Sequence, residues 1–114
     1  MATAFTMRYN PGELVLLSFP FTNDTAAKQR PALVLFDAGD DDVVVARVTS
    51  QPSKAEFDVP ISRWWTAGLL AASITRLHRL ATVEKHLVRK KLGRLDDSNW
   101  SAAQTVLRRV FCQP

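Results

Sequence analysis

The sequence predicts a mainly β domain of the α+β class: a small, twisted, barrel-like sheet followed by one C-terminal helix. Three observations carry that expectation. Five or more short apolar runs, rich in β-branched and aliphatic residues, are separated by turns carrying Gly, Pro, Asn or Asp. Only the segment after Asp96 has a clear helical period. The 114 residues, 46% of them hydrophobic, suffice for one domain with an ordinary core and not for two, so residues 1–114 are expected to form a single unit.

Taken in order, residues 1–10 read as a loose lead-in and Pro11–Gly12 as a turn. Glu13–Phe19 is the first strand, closed by Pro20, and Phe21–Gln29 is a polar loop. Pro31–Phe36 is an apolar run bounded by turn formers, hence a buried strand. Proline has no N–H for a ladder, so Pro31 belongs at the first strand position, with Arg30 at its lip. After the acidic turn Asp37–Asp42, Val43–Val48 is a β-branched strand ending at Thr49–Ser50–Gln51–Pro52. Glu56–Val59 alternates charged and apolar residues, which predicts a half-exposed strand stopped by Pro60. Ile61–Gly68 fits one helical turn closed by Gly68. Ser73–Leu80 alternates again and slips at Leu77, which predicts a bulge or a break there; Ala81–Glu84 extends it. His86–Leu95 fits a short helix and a strand equally well. The final element spans residues 96–112: Asp96–Asp97–Ser98 caps it, and Trp100, Ala103, Leu107, Val110 and Phe111 share one face, with Arg108 and Arg109 in the last turn.

Composition narrows the classes of function. No apolar run approaches the ~18 residues of a membrane span, and the first residues lack a basic region followed by an apolar one, so no secretion signal is expected. Cys112 is alone, and His78 and His86 have no acidic or cysteine ligands in phase, so neither a disulfide nor a metal or other cofactor is expected. These features predict a cytoplasmic protein. The net charge is +4 and the pI is near 9.7. From Arg76 to Arg94 seven basic residues (Arg76, Arg79, Lys85, Arg89, Lys90, Lys91, Arg94) face only Glu84. Such a run is either a nucleic-acid surface or a solvated basic face.

The groups that could carry chemistry lie at strand ends. If the strands flanking the Asp37–Asp42 turn pair antiparallel, Arg30 and Thr49 become near neighbours. A guanidinium forked onto two phosphate oxygens, with a hydroxyl donating a third bond, grips a phosphate; an ordinary surface ion pair and a turn threonine would look the same in sequence. RNA can be cleaved without a metal when its own 2′-OH attacks the adjacent phosphorus. The protein must then move a proton from that hydroxyl, stabilise the oxyanion and protonate the leaving 5′-oxygen. Arg30 suits the oxyanion, Thr49 and Ser50 suit orientation, and His78 suits proton transfer, with Arg76 expected on the same strand face. Candidates for RNA contact are the polar loop (Asp24, Thr25, Lys28, Gln29), the strand end Ser50–Gln51, Trp64 or its neighbour Trp65, and Arg79, since bases stack on aromatic and guanidinium planes.

Several segments resemble one family in order and spacing. Pro11–Gly12–Glu13–Leu14–Val15–Leu16, Phe19–Pro20–Phe21–Thr22 and Lys28–Gln29–Arg30–Pro31–Ala32–Leu33–Val34–Leu35 resemble the opening of the PemK/MazF toxins of bacterial toxin–antitoxin systems. Val43–Ser50 with its Val–Thr–Ser ending, Gly68–Leu69–Leu70, Ser73–Leu77, Thr82–Lys85 and Lys91–Leu95 follow in the same order. The resemblance runs from Gly12 to about Phe111. It implies an SH3-like barrel with a C-terminal helix, acting as a homodimer. It also implies metal-independent, sequence-selective endoribonuclease activity on single-stranded mRNA that leaves a 2′,3′-cyclic phosphate. A cognate antitoxin would neutralise it, its tail lying in the RNA groove. By position, Arg30 and Thr49 match the family's catalytic arginine and threonine, and Arg76 matches a basic residue proposed as an acid. His78 stands where members often carry an aspartate proposed as the base, and Ala81 where many carry arginine; both are departures. Two alternatives on the same fold are a gyrase poison resembling the CcdB toxins and a degenerate RNA- or antitoxin-binding module.

Overall fold

The computed structural model describes residues 7–19, 28–52 and 55–112. Six strands, β1 (Glu13–Phe19), β2 (Lys28–Phe36), β3 (Asp42–Thr49), β4 (Asp58–Ile61), β5 (Ser73–Glu84) and β6 (Val88–Arg94), precede one helix, α1 (Asp97–Cys112). Short 3-10 turns occupy Trp64–Ala67 and Lys85–Leu87. The strands form one antiparallel sheet in the order β4-β5-β3-β2-β1-β6.

The period-2 alternation of the strands buries apolar side chains on both faces. Leu14, Leu33, Ala46 and Val48 pack with Val59, Ile61, Leu77 and Leu95 beneath Trp100, Ala103 and Leu107 of α1. Val15, Leu17, Ala32, Val34, Val43 and Val45 point the other way and are covered by Tyr9, Leu87 and Val88. The two sheet edges meet through the Trp64–Ala67 turn, which follows β4 and packs on β6. Gly68 closes that turn with φ 83°, and a Cβ there would collide with the Leu92 carbonyl of β6. Among the described residues no ladder joins β4 to β6, so the sheet is barrel-like in outline and open in hydrogen bonding.

The strand boundaries at Pro31 and Pro60 and the buried face of α1 differ from the sequence expectation, and the open segment 86–95 is settled. β2 begins at Lys28, so Pro31 lies inside it, opposite Leu16. The ladder to β3 starts only at Ala32↔Arg47, so at Pro31 the strand is paired on the β1 side alone. Pro60 likewise sits within β4, opposite Ile74, because β4 is an edge strand. The ambiguous segment resolves into a 3-10 turn followed by β6, since β1 offers a free edge there. On α1, Phe111 is 64% exposed and lies outside the core, whereas Asn99 is buried, its amide 3.2 Å from Ser62 Oγ. The cap forms as expected, with the Asn99 N–H donating to Asp96 Oδ1 at 2.8 Å. The slip at Leu77 is a bulge: Arg76 pairs with Arg47 and Leu80 with Ala46, leaving residues 77–79 out of the β3 ladder.

Candidate active site

The β2–β3 hairpin builds the site by separating. Its register keeps Ala32 opposite Arg47, Leu33 opposite Ala46 and Val34 opposite Val45. Two residues beyond the last pair come Arg30 and Thr49, which the same register would place opposite each other. There β2 continues to follow β1, with Arg30 opposite Leu17, while β3 follows β5, with Thr49 opposite Ile74. Each strand stays paired on its outer side, so a gap opens between them. The gap holds a cavity of about 540 Å³ lined by Gln29, Arg30, Arg47, Thr49, Ser50 and Gln51, with Leu16, Lys90 and Leu92 also on its wall.

Polar groups at this gap are presented to solvent. Gln29, Arg30, Ser50 and Gln51 are exposed, and Thr49 is half-buried. Thr49 Oγ1 accepts the Gln51 N–H at 3.1 Å, which fixes the oxygen and leaves its own proton able to donate outward. Among the described residues no carboxylate lines the cavity, and Arg30, Arg47 and Lys90 bring positive charge to it. A second cavity of about 520 Å³ shares Arg30, Pro31 and Arg47 with the first and adds Lys28, Arg79, Leu80 and Ala81.

The opposite end of the hairpin is tightly held. Asp37 accepts N–H bonds from Tyr9 and Gly39, each at 2.8 Å, and Lys85 Nζ lies 2.8 Å from its Oδ1. Burial pushes this carboxyl up, but the Lys85 ammonium and the two backbone donors outweigh it and bring it down to about 2. Burial of Tyr9, reinforced by the charges of Glu13 and Asp37, raises its phenol.

The structure brings together some of the residues singled out from sequence and separates others. Gln29, Arg30, Thr49, Ser50 and Gln51 share the gap, and Lys28 and Arg79 meet Arg30 in the second cavity. Arg76 and His78 line neither. Arg76 Nε is bound to Asp58 Oδ1 at 3.1 Å on the β4 side of β5, and the exposed His78 sits in the bulge with its ring 6.0 Å from that of Phe57. Trp64 packs against the core with Trp65 edge-on at 5.6 Å, also away from both cavities. Asp24 and Thr25 lie outside the described residues. Lys90, from the basic run Arg76–Arg94, also lines the gap, and so does Arg47, which the sequence did not single out. For Arg47 the signal was present: it lies two residues before Thr49, hence on the same strand face.

A family model describing the PemK-like, MazF-like toxin of type II toxin–antitoxin systems matches residues 10–111. The chain belongs to the PemK/MazF toxin family. No curated protein sequence matches it. Among solved structures, a mycobacterial endoribonuclease is similar at TM-score 0.73 and 17% identity, with 97% of this chain and 98% of that one covered. A mycobacterial endoribonuclease in complex with its cognate antitoxin is similar at TM-score 0.74 and 16% identity, covering 94% and 98%. The MazE–MazF complex of Deinococcus radiodurans is similar at TM-score 0.72 and 20% identity, covering 93% and 97%. At these identities the likeness is one of fold, and the whole six-stranded sheet with its helix is the PemK/MazF architecture. Among the described residues of this PemK/MazF toxin, no helix is long and apolar enough to cross a membrane.

Proposed function

We propose that this toxin is a metal-independent endoribonuclease that cuts single-stranded mRNA in the gap between β2 and β3. The observation that carries the reading is the parting of the two strands, which leaves Arg30 and Thr49 on one cavity that no carboxylate lines among the described residues. In the proposed reaction the 2′-OH attacks the adjacent phosphorus, the bond to the 5′-oxygen breaks, and a 2′,3′-cyclic phosphate and a 5′-hydroxyl result. Arg30 neutralises the charge that develops on the non-bridging oxygens, and the Thr49 hydroxyl donates to one of them. Gln29, Ser50 and Gln51 hold the flanking nucleotides. Family membership supports this reading, as do the endoribonuclease neighbours of the same fold. The proposed partners are a second copy of the chain, whose sheet edges small barrels tend to cover, and a cognate antitoxin of the kind bound to the mycobacterial and Deinococcus relatives.

Arg76 and His78, which line neither cavity, are the proposed proton-transfer pair. Purified protein with mixed single-stranded RNA and EDTA is expected to give discrete cuts with cyclic-phosphate ends. Intact RNA at high protein concentration, or undiminished cutting by Arg30→Ala, overturns the proposal. A pH–rate profile for His78→Ala that superimposes on wild type removes His78 from proton transfer while leaving Arg30 and Thr49 in place.

A further inference from the structure

We propose that Arg47 and Arg79, together with Arg30, form a second phosphate subsite for the RNA strand on the sheet face opposite α1. The inference rests on the reading of the gap as an RNA site and extends it to a residue, Arg47, that the sequence did not single out.

Directly opposed residues of a sheet share a face, so the ladders define a transverse row: Asp58 opposite Arg76, Arg76 opposite Arg47, and Arg47 opposite Ala32. Arg30 is two residues from Ala32, on the same strand face, and lines the same two cavities as Arg47. Arg76 is compensated by Asp58 at 3.1 Å. Among the described residues, the Arg30, Arg47 and Arg79 guanidiniums have no hydrogen bond or ion pair. With Arg76 matched by Asp58, Arg47 is the cation of that row left without a counter-charge among the described residues, and a bound anion supplies one. Arg79 reaches the same cavity because the β5 bulge frees residues 77–79 from the ladder.

The surroundings fit a nucleotide. Ala32, Val45 and Leu80 give the cavity of about 520 Å³ an apolar floor beneath the cations, and among the described residues no carboxylate lines it. A guanidinium forks onto phosphate oxygens and also stacks on a base. Arg30 and Arg47 line both cavities, so a strand gripped in the gap continues directly into the second one, with its next phosphate arriving among the arginines. That continuity favours a polynucleotide over an acidic peptide as the occupant.

The test measures equilibrium binding of the full chain to a 2′-O-methyl single-stranded RNA, which cannot be cleaved, across a salt series. Steady-state cleavage of unmodified RNA is measured beside it. Arg47→Gln and Arg79→Gln are each expected to bind roughly tenfold more weakly, with the log–log salt slope reduced by about 0.7 per lost contact. Cleavage is expected to fall mainly through a higher KM. Arg47→Gln is expected to melt close to wild type, because the exposed Arg47 has no hydrogen bond or ion pair to lose among the described residues. If it melts lower, Arg79→Gln, in the exposed bulge, decides the question. Arg108→Gln, on an exposed position of α1, is expected to keep wild-type affinity and slope. Wild-type affinity and slope in both Arg47→Gln and Arg79→Gln overturn the subsite. So does an equal loss in Arg108→Gln, which would mean diffuse charge. Tight binding of the 2′-O-methyl RNA without cleavage of unmodified RNA would defeat the nuclease reading and leave the subsite standing.

Discussion

The two ends of the β2–β3 hairpin are built on opposite plans. At the turn, Asp37 is held by Lys85, Tyr9 and Gly39, the Lys85 N–H donates to the Asp41 carbonyl at 2.7 Å, and the Asp42 N–H donates to Asp40 Oδ1 at 3.0 Å. At the other end the strands part, and Arg30 and Arg47 face open cavities with no acidic partner among the described residues. The same two strands thus satisfy nearly every polar group at one end and leave hydrogen-bonding capacity unused at the other. Where the far end separates, each strand keeps its outer pairing, β2 with β1 and β3 with β5, while the turn stays bonded. The open end can then meet a ligand with groups already in place, which is the condition for electrostatic stabilisation without reorganisation.

That contrast can be broken from either side. The largest effect is expected at the turn: Lys85→Met leaves the buried Asp37 carboxylate without its cation and should cost about 3–5 kcal/mol in denaturant unfolding. At the open end, Arg30→Ala should lower single-turnover RNA cleavage by about 10²–10³-fold, the usual loss for one oxyanion donor, with the unfolding midpoint near wild type. Thr49→Val removes a neutral donor and should cost about tenfold in the same assay, again without a large change in stability. The smallest effect is a sharpening by acid. Asp37 is lowered in the folded state to about 2, so its contribution is complete above the ordinary carboxylate range and is lost as the pH falls from about 4 towards 2. Asp37→Asn should flatten the stability profile across that window, while the Arg30 end should show no matching dependence.

The hairpin itself was readable because antiparallel register follows from the turn: counting outward from Asp37–Asp42 brings Arg30 level with Thr49. The Leu77 bulge was readable because alternation cannot slip without one, and the helix start because its cap residues stand in sequence. Other features depend on neighbours that a local pattern cannot see. Pro31 and Pro60 sit inside strands only because one flank of each is unpaired, which depends on the strand order of the whole sheet. Phe111 keeps helical phase with Ala103, yet the buried positions of α1 are Asn99 and Ala103, both in its first half, so the apolar stripe runs beyond what it covers. Arg47 interrupts a β-branched strand; only the parting of β2 from β3 turns its face into a cavity wall.

The position of β6 has a consequence for when the site comes into being. β6 pairs with β1, the Leu95 N–H closes onto the Gly12 carbonyl at 2.9 Å, and Lys90 and Leu92 supply part of the wall of the gap. Contacts this distant in sequence make folding slow, because a long loop must close before they form. At ribosomal speeds of about 5–20 residues per second, β1 emerges on the order of several seconds before its second neighbour exists. The edge of β1 stays bare through that interval, and the gap lacks one wall. The proposed nuclease therefore acquires its cleft only after the codons for β6 have been read, which sets a delay between the birth of the chain and its first cut.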